Sequence, residues 1–294
     1  MRPLLTFTCL LMCVSLLTGA STQRPKLMSM SYTPSGIASE AARARGISEA
    51  RITADLEHLV PYTQGIRTYS LDFGLDRVPA IAAKLGLKVS LGIWLGKDLA
   101  KNDADIEAAL PIIAANRAAI DRIYVGNEAV VRGDLTAAQV AAYVAKVRSK
   151  LGATHPPLGT AEPWHIWLAH PDLAPAVDFI GAHIFSYWDG VPVEAGADNL
   201  DVRFDAIHKA YPAKPIIIAE TGWPVSGVKN QAAMPSREAQ AKFLRAFLRD
   251  AARRGYIYNI VEAYDQPWKV RVDGGSMWGM LNDNGTPRFD FFAP

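Results

Sequence analysis

A short apolar run, a polar turn and an amphipathic stretch recur as one unit along most of this chain, and that recurrence limits what it can fold into. The apolar runs fall at 27–32, 65–71, 87–95, 123–125, 157–161, 179–184, 215–219 and 258–263. Several are almost wholly apolar, such as Ile216-Ile217-Ile218-Ala219 and Val89-Ser90-Leu91-Gly92-Ile93. A strand reads that way when both of its faces are covered, as in parallel sheets flanked by helices.

The intervening stretches carry helix signals. Thr136-Ala137-Ala138-Gln139 is a capping box opening a run that ends at Gly152. Ser236 opens another, with Phe243, Leu244, Phe247 and Leu248 on one face and Gly255 as its stop. Ile52, Leu56, Leu59 and Val60 mark an earlier helix, and Pro79 fits only the first turn of a short one over 76–85. Pro111 lies inside 104–115 and predicts a kinked or split helix there. Alternating strands and helices give a parallel α/β fold. A doubly wound open sheet is the alternative, but eight strands with polar and aromatic residues gathered at their ends favour a single-domain (β/α)8 TIM barrel, whose strand ends meet at one face. Residues 273–294 are rich in Gly, Asn and Pro and close the barrel irregularly in this reading.

The first twenty residues stand apart. Arg2, an apolar run from Leu4 to Leu17, and Thr18-Gly19-Ala20 read as a signal peptide removed near Ala20, leaving a catalytic domain over 21–294. The run falls short of the roughly 20 residues a membrane span needs, and no later run is long enough. The expected location is therefore periplasmic or extracellular, with no membrane span after leader removal. Cys9 and Cys13 both lie in the leader, so disulfide and thiol chemistry are not expected in the mature chain. A net charge of +2 gives no reason to expect nucleic acid as a partner, and a monomer is the favoured state.

Chemistry is concentrated at two strand ends. Tyr124-Val125-Gly126-Asn127-Glu128 and Ala219-Glu220-Thr221-Gly222-Trp223-Pro224 are each an apolar run that stops at a carboxylate. A carboxylate is costly in a dry core, so both glutamates belong at the barrel mouth. Either alone could be a solvated or ion-paired strand end; two facing each other suit glycoside hydrolysis, about 5–5.5 Å apart for retaining enzymes and about 6.5–9.5 Å for inverting ones. Tyr32, Tyr69, Trp94, Tyr187, Trp188, Trp223, Tyr264, Trp268 and Trp278 lie at or after strand ends, and aromatic rings stack on the apolar faces of sugars. There is no phosphate-binding Gly loop, no Gly-x-Ser-x-Gly elbow and no His-Glu-x-x-His, so neither a metal nor an organic cofactor is expected. His165 and His170 read as helix-surface residues, and His183 as a residue in or near the sixth strand with a pocket role open.

These pieces resemble glycoside hydrolase family 17, retaining β-1,3-glucanases and glucanosyltransferases built on eight-fold barrels. The resemblance rests on Val125-Gly126-Asn127-Glu128, Glu220-Thr221-Gly222-Trp223-Pro224 and Glu262-Ala263-Tyr264-Asp265-Gln266-Pro267-Trp268-Lys269, with weaker support from Ser31-Tyr32, Arg67-Thr68-Tyr69 and Phe185-Ser186-Tyr187-Trp188. Asp265-Gln266-Pro267-Trp268-Lys269 and Trp278-Gly279-Met280 point to the bacterial branch. The resemblance implies Glu128 as general acid then base, with a raised pKa in the free enzyme, and Glu220 as the ionised nucleophile. It implies that Asn127 bonds the 2-hydroxyl and that Tyr187 orients Glu220. Trp223, Trp268, Tyr32, Tyr69 and Trp94 would line subsites, and Glu262 and Lys269 would contact hydroxyls. The substrate would be a β-glucan. Hydrolysis of β-1,3-glucan and transglycosylation use the same two glutamates; a non-catalytic β-glucan-binding barrel and a β-1,4-active barrel are the competing readings.

Overall fold

The computed structural model describes residues 25–269 and 277–293. The proposed leader lies outside the described residues. Eight strands, β1 (Met30–Ser31), β2 (Gly65–Arg67), β3 (Lys88–Ile93), β4 (Ile120–Asn127), β5 (Leu158–Pro163), β6 (Phe179–His183), β7 (Ile216–Thr221) and β8 (Ile257–Ile260), pair in sequence order and close into a barrel. All pairs are parallel, and Met30 of β1 pairs both Ile66 and Ile260 to complete the ring. The eight expected runs are these eight strands, and the (β/α)8 expectation holds.

The helices are α1 (Glu40–Ala44), α2 (Glu49–Leu59), α3 (Val78–Lys84), α4 (Leu99–Ala115), α5 (Ala137–Leu151), α6 (Trp164–Ala169), α7 (Gly196–Ala210) and α8 (Arg237–Arg254). Local chemistry fixes their ends. Thr136 and Gln139 form the reciprocal capping box of α5. Ser236 accepts from the Ala239 N–H at the start of α8, and Gly255 ends it in the left-handed region at φ 69. Pro79 sits in the first turn of α3, where no N–H is needed. The helix does not split at Pro111: α4 is one helix that starts at Leu99 and runs through the proline. Packing offsets the missing bond, since Ile106, Ala109 and Ile113 on either side of it are buried.

Two apolar layers result. Val89, Leu91, Ile123, Val125 and Ile218 pack with the helices in the main core. Tyr124, Ala161, Phe179, Ile217 and Ala219 form a separate cluster inside the ring, beneath the Arg67 guanidinium, which lies 4.3 Å from the Tyr124 ring. Gly92 is required by close approach, because a Cβ there would lie 2.4 Å from the Thr68 carbonyl oxygen.

Candidate active site

Side chains along a strand alternate between faces, so neighbouring residues cannot both face the barrel mouth unless the alternation breaks. It breaks twice. Tyr124 pairs Gly159 and Asn127 pairs Ala161, so β4 carries an extra residue there. Gly126 takes φ 90 and Glu128 takes φ 57. Adjacent residues Asn127 and Glu128 therefore both line the cavity. On β7 the register slips between Ile218 and Thr221 against β8, and between Ile218 and Glu220 against β6. Ala219 faces the interior cluster while its neighbour Glu220 also turns to the cavity.

The cavity these residues share has a volume of about 850 Å³. Oxygens of Glu128 and Glu220 and a nitrogen of His183 lie within 4.8 Å of one another. Oxygens that approach so closely suit the narrower, retaining arrangement of two carboxyl groups rather than the wider one that holds an inverting water. Such a group can also hold a cation. Here the Arg67 guanidinium already supplies positive charge against Glu220, and the group reads as an ion-pair cluster.

Arg67 ends β2 and is fully buried. Its Nη1 donates to Glu220 Oε1 at 2.9 Å and to the Ala219 carbonyl at 2.7 Å, and its Nη2 donates to Asn127 Oδ1 at 2.7 Å. Burial works against the guanidinium charge, but Tyr69, Glu220, Tyr124 and Glu128 favour it, and its pKa is raised further. His183 ends β6, its Nδ1 2.7 Å from Glu128 Oε1 and its Nε2 3.2 Å from Glu220 Oε1. The sequence left a pocket role open for His183 and gave Arg67 none beyond its place in Arg67-Thr68-Tyr69, although each closes an apolar strand as the glutamates do.

The turn after Glu128 is held from both sides. Glu162 on β5 is fully buried, and its two carboxyl oxygens accept from the Val130 N–H at 2.8 Å and the Val131 N–H at 3.2 Å. Burial pushes the Glu162 carboxyl up, the two N–H bonds pull it back, and the net direction is up. On the other side Arg132 donates to the Asn127 carbonyl and, at 2.9 Å, to the Leu95 carbonyl, with its guanidinium 4.2 Å from the Trp94 ring. These contacts stabilise a left-handed backbone at Glu128 that costs a non-glycine residue about 1–2 kcal/mol. Glu162→Gln keeps the volume but turns one N–H toward an amide NH2. We expect turnover to fall by about tenfold and stability by roughly 1–3 kcal/mol, read from initial rates and thermal melts; full activity would remove Glu162 from this role.

The remaining expected residues divide. Tyr32, Tyr69, Trp94, Glu262, Trp268 and Lys269 line the cavity, with Trp188 and Trp278. The Tyr69 hydroxyl lies 2.6 Å from Ser31 Oγ, and the Tyr32 hydroxyl donates to Asp55 Oδ2 at 3.2 Å. Glu262 accepts from Gln266 and lies 3.7 Å from Lys269 Nζ. Exposed His165 sits beside the mouth with Trp164, a cavity position the helix-surface reading did not anticipate. Trp223 is not in the cavity wall: it is buried against Phe243 and Tyr187, its indole N–H on the Met234 carbonyl at 2.8 Å. Tyr187 is likewise buried, and its hydroxyl donates to the Val228 carbonyl. Arg67 and His183 lie against Glu220. The raised pKa expected at Glu128 is also reversed. Burial pushes this carboxyl up, but the hydrogen bond and charge of His183, then Arg132 and Arg67, outweigh it and hold it below the ordinary carboxylate value.

Among known proteins, the chain is 26% identical to a glucan 1,3-beta-glucosidase of Saccharomyces cerevisiae over 80% of this chain and 82% of the relative. It is 29% identical to one of Schizosaccharomyces pombe over 81% and 79%. A solved glycoside hydrolase family 17 beta-1,3-glucanosyltransferase from Rhizomucor miehei shares its fold with a TM-score of 0.81, at 24% identity, over 91% of this chain and 98% of that one. The sequence pattern of the BtgE/BtgC glycoside hydrolase domain matches residues 29–279, which contain all the residues described above except those before Ser29 and after Gly279. With a closed eight-strand barrel and two glutamates meeting at its mouth, the chain belongs to the BtgE/BtgC glycoside hydrolase domain family.

Proposed function

We propose that this glycoside hydrolase cleaves β-1,3-glucosidic bonds in glucans with retention of configuration, through a glucosyl ester on Glu220. The observation that carries this reading is the approach of the Glu128 and Glu220 carboxylate oxygens to within 4.8 Å across one cavity. Glu220 attacks the anomeric carbon while Glu128 delivers a proton to the departing oxygen; water, or a second glucan hydroxyl, then resolves the ester with Glu128 as base. Asn127, oriented by Arg67, bonds the 2-hydroxyl, a contact that tightens as positive charge develops on the ring. Trp94, Trp268, Trp188 and Trp278 give glucosyl rings apolar faces to stack on, and Tyr32, Tyr69, Glu262 and Lys269 complete the wall.

The β-1,3 linkage is supported by the kinship with glucan 1,3-beta-glucosidases. Those relatives are fungal; assignment to the bacterial branch of the family is our proposal, resting on Asp265-Gln266-Pro267-Trp268-Lys269. Export with removal of residues 1–20 and action as a monomer are part of the same proposal, and among the described residues no helix is long and apolar enough to cross a membrane.

Incubation with laminari-oligosaccharides of defined length tests the reading. Products of β configuration are expected at first turnover. Shorter products alone assign hydrolysis, and longer ones assign transfer. An α-configured first product, or no change on any β-1,3-glucan, sinks it.

A further inference from the structure

A polar chain joins β1, β8 and the segment after β2, and each of its hydrogen bonds has a definite direction. Ser29 precedes β1 and Ser31 ends it. Two residues apart, they share a face, and both reach the side chain of Asn259 on β8. Ser29 Oγ donates to Asn259 Oδ1 at 2.7 Å. Asn259 Nδ2 donates to Ser31 Oγ at 2.7 Å and to the Ala219 carbonyl at 3.2 Å. A carbonyl oxygen only accepts, so the half of the amide that faces Ala219 is the NH2.

The next link is Ser31 Oγ to the Tyr69 hydroxyl at 2.6 Å, a pair in which either oxygen could donate. The surroundings choose between them. Ser31 already accepts from Asn259, is 1% exposed, and is not part of the cavity wall. Among the described residues its own proton has one acceptor in reach, the Tyr69 oxygen. Were Tyr69 the donor, a buried hydroxyl proton would be left with no acceptor and no water, a cost with nothing to offset it. Tyr69 is placed differently. It lines the cavity and is only partly buried, so its proton can be taken up there.

We infer that Ser31 donates to Tyr69, and that the Tyr69 hydroxyl thereby presents its proton to an oxygen of the glucosyl unit held at Glu220. Tyr69 is then a hydrogen-bond donor in the sugar site and more than a ring to stack on, with Ser31 and Asn259 as its positioning residues. The inference rests on the double-displacement reading given above. Arg67 ties this donor to the nucleophile, since its guanidinium lies 4.8 Å from the Tyr69 ring and donates to Glu220. Removal from bulk water, then the Glu220 charge, hold the Tyr69 phenol well above its ordinary value, so it keeps the proton it donates.

Neutron diffraction from deuterium-exchanged crystals reads the chain directly. Deuterium on Ser31 Oγ aimed at Tyr69 is the expected result; deuterium on Tyr69 aimed at Ser31 overturns the inference. Tyr69→Phe keeps the ring and removes the proton, and should lower kcat/KM on laminari-oligosaccharides by about tenfold. A ring that only stacks would leave this variant within about twofold of the wild type, which would also overturn it. Asn259→Asp tests the positioning. A carboxylate cannot donate, so Ser31 would turn to it and Tyr69 to Ser31, taking the phenolic proton out of the cavity. The variant should repeat the Tyr69→Phe loss, and combining the two changes should cost less than about twofold more. Wild-type rates in Asn259→Asp, or full multiplication of the two losses, would sever Asn259 from Tyr69. Should Asn259→Asp not fold, the deuterium positions and Tyr69→Phe still decide. If the wild type cleaved no β-1,3-glucan, the β-glucan reading would fail, while the neutron map would still show which way the chain runs.

Discussion

Glu220→Ala should lower kcat on laminari-oligosaccharides by on the order of 10⁵-fold, the scale at which losing a covalent nucleophile is felt. No neighbouring group replaces it. Arg67 beside it only donates, and Glu128 faces the leaving-group oxygen in the proposed geometry. The barrel should survive, because Arg67 keeps the Ala219 carbonyl and the Asn127 amide oxygen as acceptors. Some stability is lost all the same, since a buried guanidinium has lost its counter-charge. Azide should restore turnover by entering the space left by the carboxylate and should yield a glycosyl azide of inverted configuration. Circular dichroism and product analysis on the same preparation separate the two effects. Near-normal turnover in this variant would remove Glu220 from its role, and rescue with retained configuration would remove the ester.

Arg67→Met should be the most damaging single change to the site as a whole. The side chain is buried, its fork joins the tips of β2, β4 and β7, and removing it leaves the Glu220 carboxylate without its cation. Breaking a buried pair from one side costs about 3–5 kcal/mol. For a chain of this size that corresponds to a melting temperature lower by roughly 10 °C. Asn127 loses its orienting bond at the same time, and we expect kcat to fall by about 10²- to 10³-fold, the usual scale for losing one preorganised donor. Arg67→Lys keeps the charge but not the fork, and should recover part of the stability and little of the rate. Differential scanning fluorimetry with initial-rate assays checks both. An unchanged melting temperature in Arg67→Met would show that the pair contributes nothing net.

The fold was legible because its signals are local. Runs such as Ile216-Ile217-Ile218-Ala219 must be buried on both faces, and Thr136, Ser236 and Gly255 mark helix ends by their own chemistry. Glu128 and Glu220 were legible for the same reason: a carboxylate closing an apolar strand has to reach the mouth. Arg67 and His183 obey that rule too, but Arg67 was given no role and His183 only an open one, because one cation or imidazole at a strand tip does not name a reaction. Their meaning comes from convergence across β2, β4, β6 and β7, which no spacing in the sequence encodes. Trp223 and Tyr187 show the converse, since both are buried. Aromatic rings near strand ends serve the wall of a cavity or the layer behind it equally well, and only packing against Phe243 and the bond to Val228 distinguish them. The direction of the Glu128 pKa likewise depends on a partner 55 residues away in the chain.

The left-handed backbone at residue 128 makes the two halves of the machinery unequal targets for variation. At 220 the chain tolerates any side chain the space admits, so a knockout there reports on chemistry. At 128 a valine, isoleucine or threonine would carry a conformational penalty unrelated to acidity, whereas asparagine and glycine populate that region readily. Sequence drift at this position should therefore run through Asn or Gly, and a relative that has lost its acid but kept its shape would carry one of those two.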